Sequence, residues 1–193
     1  MSKWCKGKMD IGDISRDLLL KAANGDVPAF EEIYKFASGF VYNVALRIAG
    51  NREDAQEIAQ EVFLRIFKNL KDFKFKSSFK TWVYRITVNT ALNIRKKALK
   101  DLSRQAEYNE NIYYKKAIQD DSPEKIIDTK TNEEMVNNLL AVLNPRHRAC
   151  IVLREMQGLS YEEIAQVLKI NINTVRSRLK RAREILLKRG GYK

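Results

Sequence analysis

The chain has 193 residues, of which 45% are apolar, so it can fill a hydrophobic core, and global disorder is excluded. Lys and Arg outnumber Asp and Glu by 36 to 24, and the formal charge of +12 predicts a polyanionic partner, with nucleic acid ahead of an anionic membrane surface. No apolar run is long enough for a signal peptide or a membrane span, which predicts a cytoplasmic protein without membrane insertion.

Metal and cofactor chemistry finds little support in the composition. Cys5 and Cys150 are the only cysteines and lie far apart in sequence, and His147 is the only histidine, so we expect no metal site. Cys150 lies in an apolar helical stretch, which predicts core packing rather than a reactive thiol. Because the sequence also has no Gly-rich phosphate loop, we expect no cofactor, and an enzyme is the least supported class.

The N-terminal half predicts four helices around one core. Glycines and prolines are few, and apolar residues recur at helical spacing throughout the chain, which is typical of an all-α fold. Ser15 and Asp26 are expected to cap the first two helices, which Gly25 and Gly50 would end. The predicted helices span about 15–25, 26–50, 51–70 and 79–99.

The pattern changes after the fourth helix. The apolar stripe is lost between Asp101 and Lys130, where the residues Asp120–Pro123 interrupt any helix, so we interpret this segment as a flexible linker with at most a transient helix around 108–118. Two further helices are expected over about 131–143, with Thr131 as its cap, and 144–158. The predicted organisation is therefore two small helical domains, 14–100 and 131–191, joined by a linker at 101–130.

The second domain ends in a predicted helix-turn-helix. Ser160 and Glu163 have capping-box spacing at the start of its first helix. Ala165 is small enough to allow a close crossing by a second helix, whose first inward residue is Val175. Lys169 stands in the turn where many such motifs have glycine, and a left-handed Lys would cost about 1 kcal/mol.

The last helix carries a basic face opposite its apolar stripe. A solvated basic helix is the alternative interpretation. Glu184 is the only acidic residue between Thr174 and Arg189, however, so ion pairs within the helix do not account for its many basic residues. Residues near the start of such a helix can reach base edges in the major groove, whereas most others contact phosphate. The residues expected to bind duplex DNA are Thr174, Arg176, Ser177, Lys180, Arg181 and Arg183.

A second basic segment, Phe73–Lys100, contains no acid and interleaves aromatic residues. Basic residues beside aromatic rings suit single-stranded nucleic acid, because the cationic side chains hold the backbone while unstacked nucleobases pack against a ring or enter a pocket. Core packing is an equally good interpretation of Phe79 and Trp82. Phe73 and Phe75 lie in a loop beside two serines, which predicts that they stay outside the core.

Three stretches of the sequence resemble a known family. The first, "EDAQEIAQEVFLRIFKNL", is similar to a helix that binds core RNA polymerase, and "FKSSFKTWVYRITVNTALNIRKK" is similar to a segment that melts the promoter and reads its −10 element. The third, "LNPRHRACIVLREMQGLSYEEIAQVLKININTVRSRLKRARE", is similar to a domain that reads the −35 element. Together they resemble bacterial sigma factors of the extracytoplasmic-function (ECF, group 4) type of the sigma-70 family. The family usually has Leu-Pro at Asn144-Pro145, and residues 1–13 have no evident counterpart.

The resemblance implies a function and a set of partners. The protein would bind core RNA polymerase at the β′ clamp and the β subunit and direct promoter-specific initiation by reading a −35 duplex and a melted −10 strand. A flipped −10 base would be captured without a chemical step, and an anti-sigma factor is a further expected partner. The residues implied for the −10 element are Phe73, Ser77, Ser78, Lys80, Tyr84, Arg85, Asn89 and Asn93. Those implied for polymerase, where a plain solvated surface is the alternative, are Asp54, Glu57, Gln60, Glu61 and Arg65.

The alternative function is a self-contained DNA-binding regulator whose N-terminal helices dimerise or sense a ligand. It predicts binding to a palindromic duplex in the absence of polymerase. The basic aromatic loop at Phe73–Ser78 disfavours this alternative, because a regulator that binds only duplex DNA does not need a site for single strands.

Overall fold

The computed structural model describes residues 11–108 and 132–189. These residues form α-helices and no strand, which confirms the prediction of an all-α fold. The helices are α1 (Arg16–Ala23), α2 (Val27–Ala49), α3 (Arg52–Asn69), α4 (Phe79–Tyr108), α5 (Asn132–Ala141), α6 (Pro145–Ile151), α7 (Tyr161–Leu168) and α8 (Ile172–Arg189). A short 3-10 turn at Ile11–Asp13 precedes α1, another at Leu70–Asp72 follows α3, and a π-helical segment at Val152–Met156 continues α6.

The predicted caps begin and end the first helices. The side chain of Ser15 accepts a hydrogen bond from the Leu18 amide at 3.1 Å, and that of Asp26 accepts one from Ala29 at 3.0 Å. Gly50 ends α2 with a left-handed φ of 95°, a conformation that glycine adopts without a steric penalty. Local sequence signals therefore determine where these helices start and stop.

The fourth helix is longer than predicted. α4 continues to Tyr108, eight residues into the segment interpreted as linker, because no Gly or Pro occurs between Phe79 and Tyr108 to end it. The rest of that segment, with its possible helix around 108–118 and the cap at Thr131, lies outside the described residues.

The N-terminal unit, which comprises α1 to α4, packs around α2. This helix contacts α1, α3 and α4, and α3 also contacts α4. Ile33 and Val41 of α2 and Ile58 of α3 have no exposed surface, and Val83 of α4 is equally covered. Burial of this apolar stripe, rather than helix propensity alone, holds the four helices together.

The C-terminal unit, which comprises α5 to α8, contains the helix-turn-helix. α8 packs on α6 and α7, and Cys150 is buried in this core as predicted. Both bonds of the predicted capping box form: the Glu163 amide donates to Ser160 Oγ at 3.1 Å, and the Ser160 amide donates to Glu163 Oε2 at 2.8 Å. Lys169 has φ 52° and ψ 48°, so the turn does place a lysine in the left-handed region.

The two units lie against each other. α7 packs on α4, while α6 contacts both α2 and α4. Their buried apolar residues form one continuous cluster. Sequence periodicity identifies which face of each helix is buried but not which other unit covers it, so this contact was not predicted.

Candidate nucleic-acid interface

The first turns of α8 display the side chains predicted to read duplex DNA. Val175 and Leu179 have no exposed surface and attach one side of the helix to the core. Arg176, Ser177 and Lys180 lie on the other side and are exposed. A cationic, exposed N-terminal half supported by a rigid core is the arrangement with which a recognition helix enters the major groove.

Hydrogen bonds within this turn position one of the arginines. Arg176 Nη1 donates to Asn173 Oδ1 at 3.1 Å, and the Asn173 amide donates to Asn171 Oδ1 at 2.8 Å. The hydroxyl of Ser177 donates to the Thr174 carbonyl at 3.0 Å. Sequence reasoning missed Asn173, although its spacing of three residues from Arg176 on a helix was a usable signal.

Further along α8, Arg183 is bonded to the helix that precedes the helix-turn-helix. Its Nη2 and Nε donate to Glu155 Oε1 at 2.7 and 3.2 Å. Hydrogen bonds to Glu155 and then to Tyr161 raise the pKa of Arg183. The guanidinium carbon of Arg154 lies 5.2 Å from the centroid of the same tyrosine ring. Arg183, predicted to contact DNA, is thus already paired in the free protein.

The arginines of α8 also affect the pKa values of two residues of α6. Burial, followed by the charges of Arg178 and Arg181, lowers the pKa of His147, so this histidine is neutral at physiological pH. Burial raises the pKa of the Cys150 thiol, against a smaller opposite effect of Arg178. A buried, protonated thiol agrees with the predicted packing role.

An aromatic cluster closes the loop between α3 and α4. The ring of Phe73 has its centroid 4.8 Å from that of Phe75, 5.1 Å from that of Trp82 and 5.9 Å from that of Phe79. Phe73 is only 9% exposed, so the prediction that it stays outside the core is wrong. The three neighbouring rings cover it, because apolar surface in a short loop is buried wherever adjacent helices offer a partner. Phe75 is half-buried under the Arg16 guanidinium, 4.6 Å from its ring centroid.

A cavity of about 390 Å³ lies between α3 and α4, beside this aromatic cluster. It offers the indole ring of Trp82, two amide side chains, two guanidinium groups and the Asp72 carboxylate, a set that can pack against a nucleobase and bond to its edge. Sequence reasoning predicted Arg85 and Asn89 here and left Trp82 open between such a role and core packing, but it missed Asn69. The residues lining the cavity are Arg65, Asn69, Asp72, Trp82, Arg85, Ile86 and Asn89.

The other residues of the predicted single-strand site are distributed around α4. Ser78 begins this helix, since its Oγ accepts a hydrogen bond from the Thr81 amide at 3.0 Å. Ser77 and Lys80 are half-buried, whereas Asn93 is exposed one turn beyond Asn89. Ser77, Ser78 and Lys80 thus lie at the start of α4 and Asn93 near its middle, and none of the four lines the cavity.

Tyr84 is directed away from the cavity. It is 2% exposed, and its hydroxyl donates to Oε1 of Gln157 in the C-terminal unit at 2.8 Å. Its ring also meets that of Phe40 edge-on, with 4.6 Å between the centroids. The structure therefore does not bring Tyr84 together with the other residues predicted for a single strand.

Comparison with known proteins identifies the family. The profile of sigma-70 region 2 matches residues 34–100, and that of sigma-70 region 4 matches residues 133–186. The ECF RNA polymerase sigma-E factor of Haemophilus influenzae is 33% identical over 88% of this chain and 91% of its own length. The chain belongs to the ECF sigma factors of the sigma-70 family. It directs promoter-specific initiation by RNA polymerase, as the resemblance implied.

Two further proteins resemble this sigma factor. SigE of Mycolicibacterium smegmatis is 33% identical over 85% of the chain, which spans 63%, less than two thirds, of that relative. The sigma factor RpoE of Bartonella quintana, solved in complex with the anti-sigma factor NepR, has a TM-score of 0.62 at 19% identity. The alignment covers 84% of this chain and 96% of RpoE, and it supports the fold alone.

The N-cap of α3 in this sigma factor holds Asp54, the first residue of the acidic face. Asn51 Oδ1 accepts from the Asp54 amide at 2.8 Å, while Asn51 Nδ2 donates to Asp54 Oδ2 at 2.9 Å. Glu57 and Gln60 are exposed. Glu61 is paired with Arg65, whose Nε lies 2.6 Å from its Oε1.

In the part of the sigma factor that the structure describes, no helix could span a membrane, and no group of His, Cys, Asp and Glu could hold a metal ion.

Proposed function

We propose that this sigma factor reads promoter DNA with two surfaces and binds core polymerase with a third. The observation that carries the proposal is the cavity of about 390 Å³ between α3 and α4, because it combines an aromatic ring with two amide side chains, one of them on the basic helix α4. The exposed start of α8 is the second DNA surface. The acidic face of α3, centred on Glu57, is the polymerase surface.

The first of these sites holds one base of the melted −10 strand. Flipping a base out of a duplex costs a few kcal/mol, which stacking and hydrogen bonds in a pocket can offset. Trp82 supplies the apolar wall, and Asn89 supplies a donor and an acceptor for a base edge. Asn69, whose Nδ2 donates to the Arg65 carbonyl at 2.7 Å, supplies its Oδ1 as an acceptor. Nothing in this step makes or breaks a covalent bond, so the protein acts by binding and is not an enzyme.

The second site reads the −35 element as duplex. Arg176, held by Asn173, and Lys180 are placed to reach acceptors in the major groove, of which guanine presents two. Arg181 and the basic residues after it would contact phosphate groups of the DNA. Such contacts position the helix without reading the sequence. Thr174 and Ser177 face the same groove.

The partners follow from the same surfaces. The carboxylates of α3 suit a basic surface of the polymerase β′ clamp. The C-terminal unit would contact the β subunit, so that the two units together span the distance between the promoter elements. An anti-sigma factor is a further partner, supported by the fold shared with RpoE. Binding to polymerase would place the protein in the cytoplasm.

The decisive experiment is reconstitution with core polymerase. The protein, mixed with core enzyme and fragments of genomic DNA, is expected to yield run-off transcripts that start at a common pair of sequence elements. If no fragment yields a transcript and no polymerase subunit co-purifies with the protein, the proposal is wrong.

The Asn89→Ala variant tests the cavity separately. We expect unchanged binding to −35 duplex and about tenfold slower open-complex formation, because the flipped base loses a hydrogen bond. Asn43→Ala, an exposed asparagine on α2, is the matched control and should behave as wild type. An unchanged rate of promoter opening in Asn89→Ala would remove this residue from the site.

A further inference from the structure

The loop between α3 and α4, Phe73–Ser78, contains a strained residue. Phe75 has a φ of 54°, and among the described residues other than glycine only Lys169 also has a positive φ. A residue with a β-carbon meets a steric penalty in this region, and a bulky aromatic residue is rare there. Such strain persists only where the surrounding contacts hold the residue in place, and it is frequent at functional sites. The contacts of Phe75 are therefore what keeps this loop in its conformation.

Two groups hold the ring of Phe75. The guanidinium carbon of Arg16 lies over it, 4.6 Å from the ring centroid. The ring of Phe73 has its centroid 4.8 Å away, with the two planes at 52°. A guanidinium group over an aromatic ring is attracted by the ring quadrupole, and tilted pairs of rings attract each other as well. Both contacts favour the observed position of the ring and so offset the backbone strain.

These contacts continue to the cavity between α3 and α4. Phe73 is 9% exposed, and its ring centroid lies 5.1 Å from that of Trp82, which lines the cavity. Phe79 packs on both rings, with its centroid 5.9 Å from that of Phe73 and 5.8 Å from that of Trp82. An unbroken row of contacts thus leads from the surface of α1 to the cavity, through Arg16, Phe75, Phe73 and Trp82.

Helix α1 presents Arg16 at a position that helix stability does not favour. Ser15 caps α1 through the Leu18 amide, which makes Arg16 the first residue of the helix. The helix dipole disfavours a cation at this end. α1 also packs on the turn Leu70–Asp72, which immediately precedes the loop. The contact with Phe75 gives a reason for an exposed arginine at a locally unfavourable position.

We infer that Arg16 is a positioning residue for the cavity: it holds Phe75 in the left-handed conformation and, through Phe73, fixes Trp82 as the wall. The role in base capture rests on the proposed function, whereas the effect on the loop does not. Without the guanidinium group, the strained residue relaxes and the wall loses its support. The loop must then be ordered when a base binds, and this ordering lowers the affinity for the strand.

The effect on the loop can be measured on the full chain without DNA. The chain has two tryptophans, so Trp4→Phe leaves Trp82 as the only source of indole fluorescence. In that background, Arg16→Met should make Trp82 more accessible to quenching by acrylamide, with unchanged helical circular dichroism. Arg16→Lys keeps a cation for the ring and should restore most of the protection. Arg52→Met, at an exposed arginine at the other end of α3, is the matched control.

The effect on capture can be measured with the polymerase holoenzyme and a single-stranded oligonucleotide of the −10 element defined by the run-off transcripts. Arg16→Met should weaken binding about two- to fivefold, the affinity equivalent of an exposed cation–π contact. In a Phe75→Leu background the same substitution should have little effect, because the ring on which Arg16 acts is gone. A positioning residue leaves the salt dependence unchanged, whereas a direct contact to phosphate contributes about 0.7 to the slope of log K against log salt.

These outcomes separate the inference from the proposed function. Greater quenching of Trp82 in Arg16→Met, together with a loss of affinity that depends on Phe75, supports the inference. Unchanged quenching overturns it. A lower salt slope, or an equal loss of affinity in the Phe75→Leu background, also overturns it, since Arg16 would then act on DNA directly. A wild-type holoenzyme that binds no −10 strand would contradict the proposed function, and the quenching result would still decide whether Arg16 holds the loop.

Discussion

At the scale of single residues, the position of a basic residue along α8 determines whether it reads a nucleobase or only attracts phosphate. Arg176 lies in the first turns and is oriented by Asn173, whereas Lys188 lies in the last turn. Arg176→Ala should therefore lose about 1–3 kcal/mol of discrimination at one −35 position, while Lys188→Ala should weaken binding to every duplex equally and flatten the salt dependence. Fluorescence anisotropy on single-base variants of the element measures both. Identical effects of the two substitutions would show that Arg176 reads no base.

Glu155 offers a second prediction at this scale, because it competes with DNA for Arg183. The pair is about half exposed and joined at 2.7 Å, so Glu155→Gln should free the guanidinium for a phosphate and remove a negative charge near the duplex. Affinity should rise for all sequences, and the slope of log K against log salt should steepen by about 0.9. Glu162→Gln, an exposed acid on α7, is the control. Weaker binding in Glu155→Gln would instead make this residue a positioning group for α8.

At the scale of elements, the turn of the helix-turn-helix carries a cost that can be removed. Gly25, Gly50 and Gly158 adopt positive φ in other turns, whereas Lys169 does so at φ 52° with a β-carbon. Lys169→Gly should raise the free energy of unfolding by up to about 1 kcal/mol in urea titrations. Lys169→Ala removes the same charge and keeps the strain, so it should show no gain. Equal stability of the two variants would mean that the lysine conformation is not strained.

The element scale also shows what could be predicted from the sequence. Caps such as Ser15 and Ser160 were predictable because they depend on neighbouring residues alone. The burial of Phe73 and the position of Trp82 beside the cavity were not, because both depend on how α3 and α4 pack. The hydrogen bond between Tyr84 and Gln157 joins residues 73 positions apart, a separation that periodicity cannot detect.

At the scale of the whole molecule, the distribution of charge determines how DNA binding responds to salt. The basic residues of α4 and α8 attract DNA phosphate, and the chain carries a formal charge of +12. Added salt weakens DNA binding by competing with the released counter-ions. Binding of the full chain to a −35 duplex should therefore weaken steeply between about 0.05 and about 0.5 M salt, which fluorescence anisotropy measures. An affinity that does not change with salt would show that contacts to phosphate do not drive this binding.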